Sequence, residues 1–383
     1  MIRQFGVKVI LDLNTVTSTP QIAIRWARAA EAALPTESIV GFEIGNEPDI
    51  YSPAAWQRFA GGVQKTPTLP PQITAASYAQ SFGAYAAALV RMDHGVPLFG
   101  PALAEPTTHP GWISQMLAGT HPGLRAITIH PYPMSACNHN THALTFPTIA
   151  RMLSNSSTTG MANTITAAVR TAKHAGLPVR LTEMNSVTCG GRKGVSGTFA
   201  SALWAPDALF ELIRAGASSA AVHVRANAIN MAFSVTNHGL VANPLLYGLA
   251  LFARTLGPSP QLLPLKLTAS PTDNLKAWAV RVRGNTLHIL LLDKSTHTVR
   301  ISLHIPTAGT VTTQDLLART ARATTGVTLA GQHLDSQGHW TGTLTTQTIN
   351  ATSSSYNVTV RGSSATLVTA PIPPGALTGL RAR

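Results

Sequence analysis

The sequence predicts an α/β protein: a (β/α)8-type TIM barrel followed by a C-terminal β-sandwich. Three observations carry this prediction. From residue 7 to about 257, short apolar runs alternate with longer segments of helical period, the pattern of a parallel sheet whose strands are joined by helical crossovers. The repeat, roughly 30–50 residues, fits βα units with long loops at one end of a barrel. After Leu256-Gly257-Pro258 the helical period gives way to strands of alternating character. The barrel is therefore assigned to 1–257 and the sandwich to 258–383.

The elements follow in order. Val7 to Leu13 is the first strand, and a helix runs from about Gln21 to Leu34 with Pro20 at its entry, where proline is favoured. The next strand, Ile39 to Ile44, ends in Gly45-Asn46-Glu47-Pro48, and a helix rich in small residues covers Ala75 to Met92. Pro97 to Leu103, Ala126 to His130, Val179 to Thr182 and Ser219 to Val224 read as four more strands, with helices over 111–118, 161–175, 198–215 and 244–256. Six strands result, where a closed barrel has eight. Beyond 258 the strands are Lys276 to Val282, Thr286 to Leu292, Val299 to Ile305, Tyr356 to Val360 and Thr366 to Thr369. Gly284-Asn285 marks a hairpin turn between the first two. Thr312 to Arg319 is the one candidate helix here, and the Thr/Ser/Gly-rich stretch 323–355 reads as long surface loops.

Composition narrows the function. Charged residues make up only 11% of the chain, well below the roughly 25% usual for soluble domains, so disorder is not indicated. The net charge is +13, from 28 Lys+Arg against 15 Asp+Glu. Such a field favours an anionic partner, although a compositional bias toward arginine accounts for it equally well. The basic residues are scattered and no basic stripe interleaved with aromatics occurs, which argues against nucleic acid. No apolar run reaches the 18 residues that a membrane span requires.

Only seven Glu occur in the chain, so their positions are informative. Glu47 follows one apolar strand, in Gly41-Phe42-Glu43-Ile44-Gly45-Asn46-Glu47-Pro48, and Glu183 follows another, in Val179-Arg180-Leu181-Thr182-Glu183. The carboxyl ends of barrel strands face the active site. Two carboxylates delivered there from different strands are what glycoside hydrolysis requires: a protonated one to assist the leaving oxygen, and an ionised one to attack the anomeric carbon. The bland alternative is that each Glu caps a helix or closes an ion pair. Asn46 favours the functional reading, because an amide beside the acid can bond a sugar 2-hydroxyl. Pro48 stiffens the turn that presents Glu47.

Phe42-Glu43-Ile44-Gly45-Asn46-Glu47-Pro48-Asp49 resembles the acid/base strand of the large clan of retaining barrel glycosidases. Within that clan the chain resembles glycoside hydrolase family 79, the heparanase and β-glucuronidase family. Lys8 to Asn14 is similar to its third barrel strand, Ile129-His130-Pro131-Tyr132 to its sixth, and Leu181-Thr182-Glu183 with Cys189-Gly190-Gly191 to its nucleophile strand and glycine loop. The resemblance implies Glu47 as acid/base, Glu183 as nucleophile, Asn46 as 2-hydroxyl ligand and Tyr132 as the residue that holds Glu183. It also implies that backbone amides at Gly190 and Gly191 bind a substrate carboxylate, as exposed N–H groups of a glycine loop can.

Two departures stand against the resemblance. The family barrel has two βα units before the strand at which this chain starts, which leads to the expectation that the reading frame, with a secretion signal, extends upstream. Family members also place a tyrosine after the eighth strand for the uronic-acid carboxylate. This chain has Ala228-Ile229-Asn230-Met231-Ala232-Phe233-Ser234 there, so Arg225 or Asn227 is the candidate substitute. For Arg225 the alternative is an ion pair at the barrel mouth.

The only two cysteines, Cys137 and Cys189, fall in the loops that the resemblance places after the sixth and seventh strands. Neighbouring loops there can be joined by a disulfide, which would indicate an extracellular or periplasmic protein; two buried thiols are the alternative. Cys137-Asn138-His139-Asn140-Thr141-His142 matches no standard zinc spacing, and the expected chemistry needs neither metal nor cofactor. Phosphate-loop and nucleophile-elbow motifs are absent from the sequence. The leading expectation is a retaining glycoside hydrolase acting on a carbohydrate, in particular a β-glucuronidase-like enzyme on uronic-acid glycans. The rivals are a non-catalytic carbohydrate-binding scaffold and a retaining β-glycosidase of other specificity.

Overall fold

The computed structural model describes residues 6–52, 72–92, 95–270, 273–307, 309–352, 355–373 and 380–382. The chain forms two compact units, one from 1–132, 162–184 and 212–222, the other from 133–161, 185–211 and 223–383.

The first unit is built on six strands: β1 (Val9–Leu13), β2 (Ile39–Ile44), β3 (Leu98–Leu103), β4 (Leu124–Ile129), β5 (Val179–Met184) and β6 (Ala217–Val222). All neighbours are parallel and the spatial order is the chain order, the arrangement of a half-barrel. Burial follows position in the sheet. Every residue of the central β3 is buried, whereas the edge strands β1 and β6 are mostly half-buried or exposed. The six strands lie within two residues of where the apolar runs placed them.

Helix α1 (Pro20–Ala33) starts as its sequence dictates, with Pro20 in the first turn and the Thr19 hydroxyl accepting from the Ile22 N–H at 3.3 Å. Helix α2 (Ala75–Met92) buries Tyr78, Phe82, Tyr85, Ala86 and Leu89, the i, i+4, i+7 stripe of a core-facing helix. Its Tyr78 hydroxyl donates to the Ile44 carbonyl at 2.6 Å, which fixes the helix to the end of β2, the strand that leads to Glu47.

The second unit contains the β-rich C-terminal region. Strands β7 (Leu275–Val282), β8 (Thr286–Asp293), β9 (Val299–His304), β10 (Val311–Leu317), β11 (Tyr356–Val360) and β12 (Ser364–Pro371) pair antiparallel as β7-β8-β12-β10 in one sheet and β9-β11 in another. Leu287, Ile289 and Leu291 of the first sheet share a buried core with Ile301, Leu303 and Val358 of the second, as in a sandwich. The β7–β8 hairpin pairs Val282 with Thr286, leaving a three-residue turn in which Gly284 and Asn285 both sit at positive φ (84° and 56°), a region that glycine and asparagine enter most readily.

Two expectations are corrected here. The candidate helix Thr312 to Arg319 is instead strand β10, paired with β12 and with a short strand at Gln347–Ile349. Its Val311-Thr312-Thr313 start is β-branched and alternately buried, which suits a pleated surface better than a helix. The stretch 323–355 is not all loop, since it carries short strands at Thr328–Leu329, His333–Leu334, Trp340–Thr341 and Gln347–Ile349.

The second unit also buries an ion pair. Lys294 Nζ lies 2.8 Å from Asp207 Oδ2, with both side chains wholly inaccessible, and Trp278 Nε1 donates to the other carboxylate oxygen at 3.1 Å. Removing one member leaves the other charge uncompensated. Lys294→Met is expected to lower stability by about 3–5 kcal/mol, measured by urea unfolding; a loss below about 1 kcal/mol would show that Asp207 is neutralised another way.

Candidate active site

The backbone after β2 is shaped to present one side chain. Gly45 sits at φ 83°, and a Cβ there would come within 2.8 Å of Thr15 Oγ1, so a side chain would strain the backbone and displace Thr15. Glu47 itself is left-handed (φ 47°, ψ 50°), a conformation that costs a non-glycine residue about 1–2 kcal/mol. Neighbouring groups hold it there. Its N–H donates to the Ala102 carbonyl at 3.0 Å, and Pro48 opens a short 3₁₀ turn, Pro48–Ile50. Asp49, buried below, accepts from the N–H groups of Ala104 (3.0 Å) and Glu105 (2.8 Å) and lies 3.3 Å from His109 Nδ1. The loop after β2 is thereby fastened to the loop after β3.

The second carboxylate comes from β5. The pairing of β5 with β6 shifts register between Leu181 and Met184, and this irregularity lets consecutive residues serve one site. Thr182 reaches His130, and Glu183 accepts from the Tyr132 hydroxyl at 2.6 Å. His130 and Tyr132, just beyond the end of β4, both reach this cluster. His130 Nδ1 lies 3.1 Å from Glu47 Oε1, and its Nε2 lies 3.1 Å from Thr182 Oγ1. The Thr182 hydroxyl donates onward to Glu43 Oε1 at 2.7 Å. One oxygen of Glu47, one of Glu183 and a ring nitrogen of His130 all lie within 4.8 Å of one another. The Glu47 side chain is 23% exposed while that of His130 is 2% exposed, so a ligand can reach the carboxyl group but not the ring.

The electrostatics follow from this packing. Burial and the Glu183 hydrogen bond push the Tyr132 hydroxyl far above its ordinary range, so it stays protonated and donates. Burial raises Glu43, opposed by His130 and by the Thr128 and Thr182 hydroxyls. Burial alone would lower His130, but its hydrogen bond to Glu47 and the charges of Glu43, Glu47 and Glu183 outweigh it and raise the group.

The sequence reading singled out Glu47, Glu183, Asn46 and Tyr132; the first, second and fourth meet in one cluster. Asn46 is exposed immediately beside Glu47. The sequence reading assigned no role to His130, Thr182, Glu43 or Asp49. A signal was present for two of them: Glu43 is a carboxylate within the apolar strand β2, and His130 stands two residues before Tyr132.

The remaining candidates belong to the second unit. Cys137 and Cys189 form a disulfide, with Cα atoms 5.9 Å apart, beside a short parallel pairing of Met134–Ser135 with Val187–Thr188. Cys137 is therefore not available as a thiolate ligand for a metal. Gly190 and Gly191 adopt positive φ (79° and 88°). The Gly191 N–H turns inward to the Thr188 carbonyl at 3.3 Å, and the Gly190 carbonyl accepts from Ile229 N–H at 2.6 Å. A Cβ on Gly190 would stand 3.0 Å from Arg225 Nη2. Arg225 is exposed and has no acidic partner among the described residues. The bridge closes a segment spanning 52 positions; replacing both cysteines by serine is expected to cost about 2–4 kcal/mol, seen as a lower Tm that reductant reproduces in the parent protein.

Residues 273–367 match the family model described as the glycosyl hydrolase family 79 C-terminal beta domain. Among solved structures the chain is similar to a 4-O-alpha-L-rhamnosyl-beta-D-glucuronidase from Fusarium oxysporum 12S, at 18% identity and TM-score 0.76, over 96% of this chain and 78% of the other. It is also similar to a GH51 alpha-L-arabinofuranosidase from Thermotoga petrophila RKU-1 (16% identity, TM-score 0.64, 96% and 77% covered). A third match is a GH51 arabinofuranosidase from Xanthomonas axonopodis pv. citri (14%, 0.68, 96% and 76%). No curated protein sequence matches the chain. The match over 273–367 agrees with the family 79 resemblance, and the structural matches bear out the barrel-type α/β fold.

Proposed function

We propose that this chain is a family 79 glycoside hydrolase that cleaves β-glycosidic bonds with retention, by double displacement between Glu183 and Glu47. The spacing of the carboxylates carries the reading. One oxygen of each lies within 4.8 Å of the other, a nearest-atom distance that supports the closer carboxyl spacing of a nucleophile and acid/base pair, roughly 5–5.5 Å, over the roughly 6.5–9.5 Å that admits a water in inverting enzymes. Glu183 attacks the anomeric carbon, held in aim by the Tyr132 hydroxyl. Glu47 protonates the departing oxygen, then takes a proton from the water that releases the sugar. Asn46, exposed next to Glu47, is the candidate ligand of the 2-hydroxyl.

Within this proposal the substrate is a uronic-acid glycan, and the carboxylate falls to Arg225 and the amide groups around Gly190. Supporting it are Arg225, which has no acidic partner among the described residues, the net charge of +13 and the name of the Fusarium relative. Phe233 is an exposed residue and has no hydroxyl to offer a carboxylate, which keeps a neutral sugar as the second reading. The same proposal places the barrel in 1–257 and the sandwich in 258–383, and the protein in an extracellular or periplasmic compartment where the Cys137–Cys189 bridge persists. No helix among the described residues is long and apolar enough to cross a membrane.

Covalent cyclitol probes of glucuronic, gluco and xylo configuration, with peptide mapping by mass spectrometry, test the reading. Labelling of Glu183 by the glucuronic probe is the expected result. Labelling by the gluco or xylo probe instead would keep the mechanism and change the sugar. A folded protein that takes no label from any of them would overturn the enzyme.

A further inference from the structure

The Glu47–His130–Thr182–Glu43 chain contains a directional constraint that the double-displacement scheme does not use. A hydroxyl has one proton to donate. Thr182 gives its proton to Glu43 Oε1 at 2.7 Å, so at its 3.1 Å contact with His130 Nε2 the threonine oxygen is left to accept. The proton at that contact therefore sits on Nε2. In the neutral ring Nδ1 is then a bare acceptor, and it faces Glu47 Oε1 at 3.1 Å. The partner such a nitrogen requires is the protonated carboxyl of Glu47, the form a general acid must have before the leaving oxygen arrives.

We propose that Thr182 and Glu43 are positioning residues that lock His130 in the Nε2–H tautomer and thereby hold Glu47 in its acid form. The inference rests on Glu47 being the acid/base. Three features make the lock rigid. His130 and Glu43 are only 2% and 6% exposed, so water does not compete for these contacts. Glu43 also receives the Thr128 hydroxyl, whose oxygen in turn accepts the Ala102 N–H at 3.0 Å. Ala102 is the residue whose carbonyl holds the strained backbone of Glu47. The acidic groups around the ring come from three strands and the loop after one of them: Asp12 of β1, Glu43 of β2 with Glu47 beyond its end, and Glu183 of β5. These charges raise His130 with or without the lock, so a second ring proton is the state that competes with the acid form of Glu47; without the lock a single ring proton can itself move to Nδ1. An Nδ1–H donates to the Glu47 carboxylate and stabilises its ionised form.

Thr182→Val removes the hydroxyl and keeps the side-chain shape. The alkaline limb of the kcat/KM profile is expected to fall by about one pH unit. Hydrolysis of an alkyl glycoside above neutral pH should slow about tenfold, with KM little changed. The burst rate with a dinitrophenyl glycoside, whose leaving group needs no proton, should stay at the parent value, and Thr182→Ser should restore the limb. Equal slowing of both substrates, or an unmoved limb in a folded Thr182→Val protein, would overturn the proposal. Long-range ¹⁵N correlation spectra of the parent protein read the His130 tautomer whether or not the chain turns over any sugar. Nε2–H in the parent, lost in Thr182→Val, supports the lock even if the glycosidase reading fails. Nδ1–H in the parent sinks the lock even if the enzyme is active.

Discussion

Glu183→Gln is expected to lower kcat/KM by on the order of 10⁴-fold or more, the scale on which removal of a covalent nucleophile is felt. The amide is nearly the shape of the carboxylate and can still accept from the Tyr132 hydroxyl, which sits 2.6 Å from Glu183 Oε1 in the parent. Folding and sugar binding should therefore persist while attack on the anomeric carbon does not. The smaller variant Glu183→Ala adds a stereochemical readout. Exogenous azide can enter the space vacated by the side chain and displace the leaving group directly, giving the α-glycosyl azide by a single inversion. Activity in Glu183→Gln within tenfold of the parent would assign the nucleophile elsewhere. Full binding with no turnover in the parent itself would instead favour a scaffold that only binds carbohydrate.

Much of this arrangement was legible because strands and helices differ in period, and because carboxylates are rare in this chain. The runs at 39–44 and 179–182 end in Glu47 and Glu183, and the fold delivers both to one cluster within 4.8 Å. The helix read over Ala75 to Met92 from its small residues has those bounds in the structure. What escaped depends on contacts between residues distant in sequence. Glu43 and Thr182 are 139 positions apart and Glu47 and His130 83 apart, so no local pattern announces that they form one chain of hydrogen bonds. Thr182 was further hidden by the strand irregularity, since regular alternation would turn it away from the face of Glu183. The misread segment 312–319 failed for another reason. Thr312-Thr313-Gln314-Asp315-Leu316-Leu317 carries an apolar pair at one end and no stripe, so its partners β12 and Gln347–Ile349 decide its conformation.

Glu47→Gln is expected to separate substrates by their leaving groups. An amide cannot protonate the departing oxygen, so alkyl glycosides should lose roughly 10²–10⁴-fold in kcat/KM. A dinitrophenyl glycoside departs unaided and should form the glycosyl-enzyme at close to the parent rate. That intermediate should then accumulate, because the same residue is needed to activate the incoming water, and kcat for the dinitrophenyl substrate should fall while kcat/KM holds. The alkaline limb of the pH profile should vanish along with the acid, since the bell shape of kcat/KM reports the groups of the free enzyme. Azide supplies the converse of the Glu183 test: in Glu47→Ala it should attack the intermediate and give the β-glycosyl azide with net retention. The pair of products, α from one variant and β from the other, would fix both roles independently of any rate. An equal loss on both classes of substrate would mean that Glu47, despite its strained and anchored backbone, positions the sugar rather than protonating it.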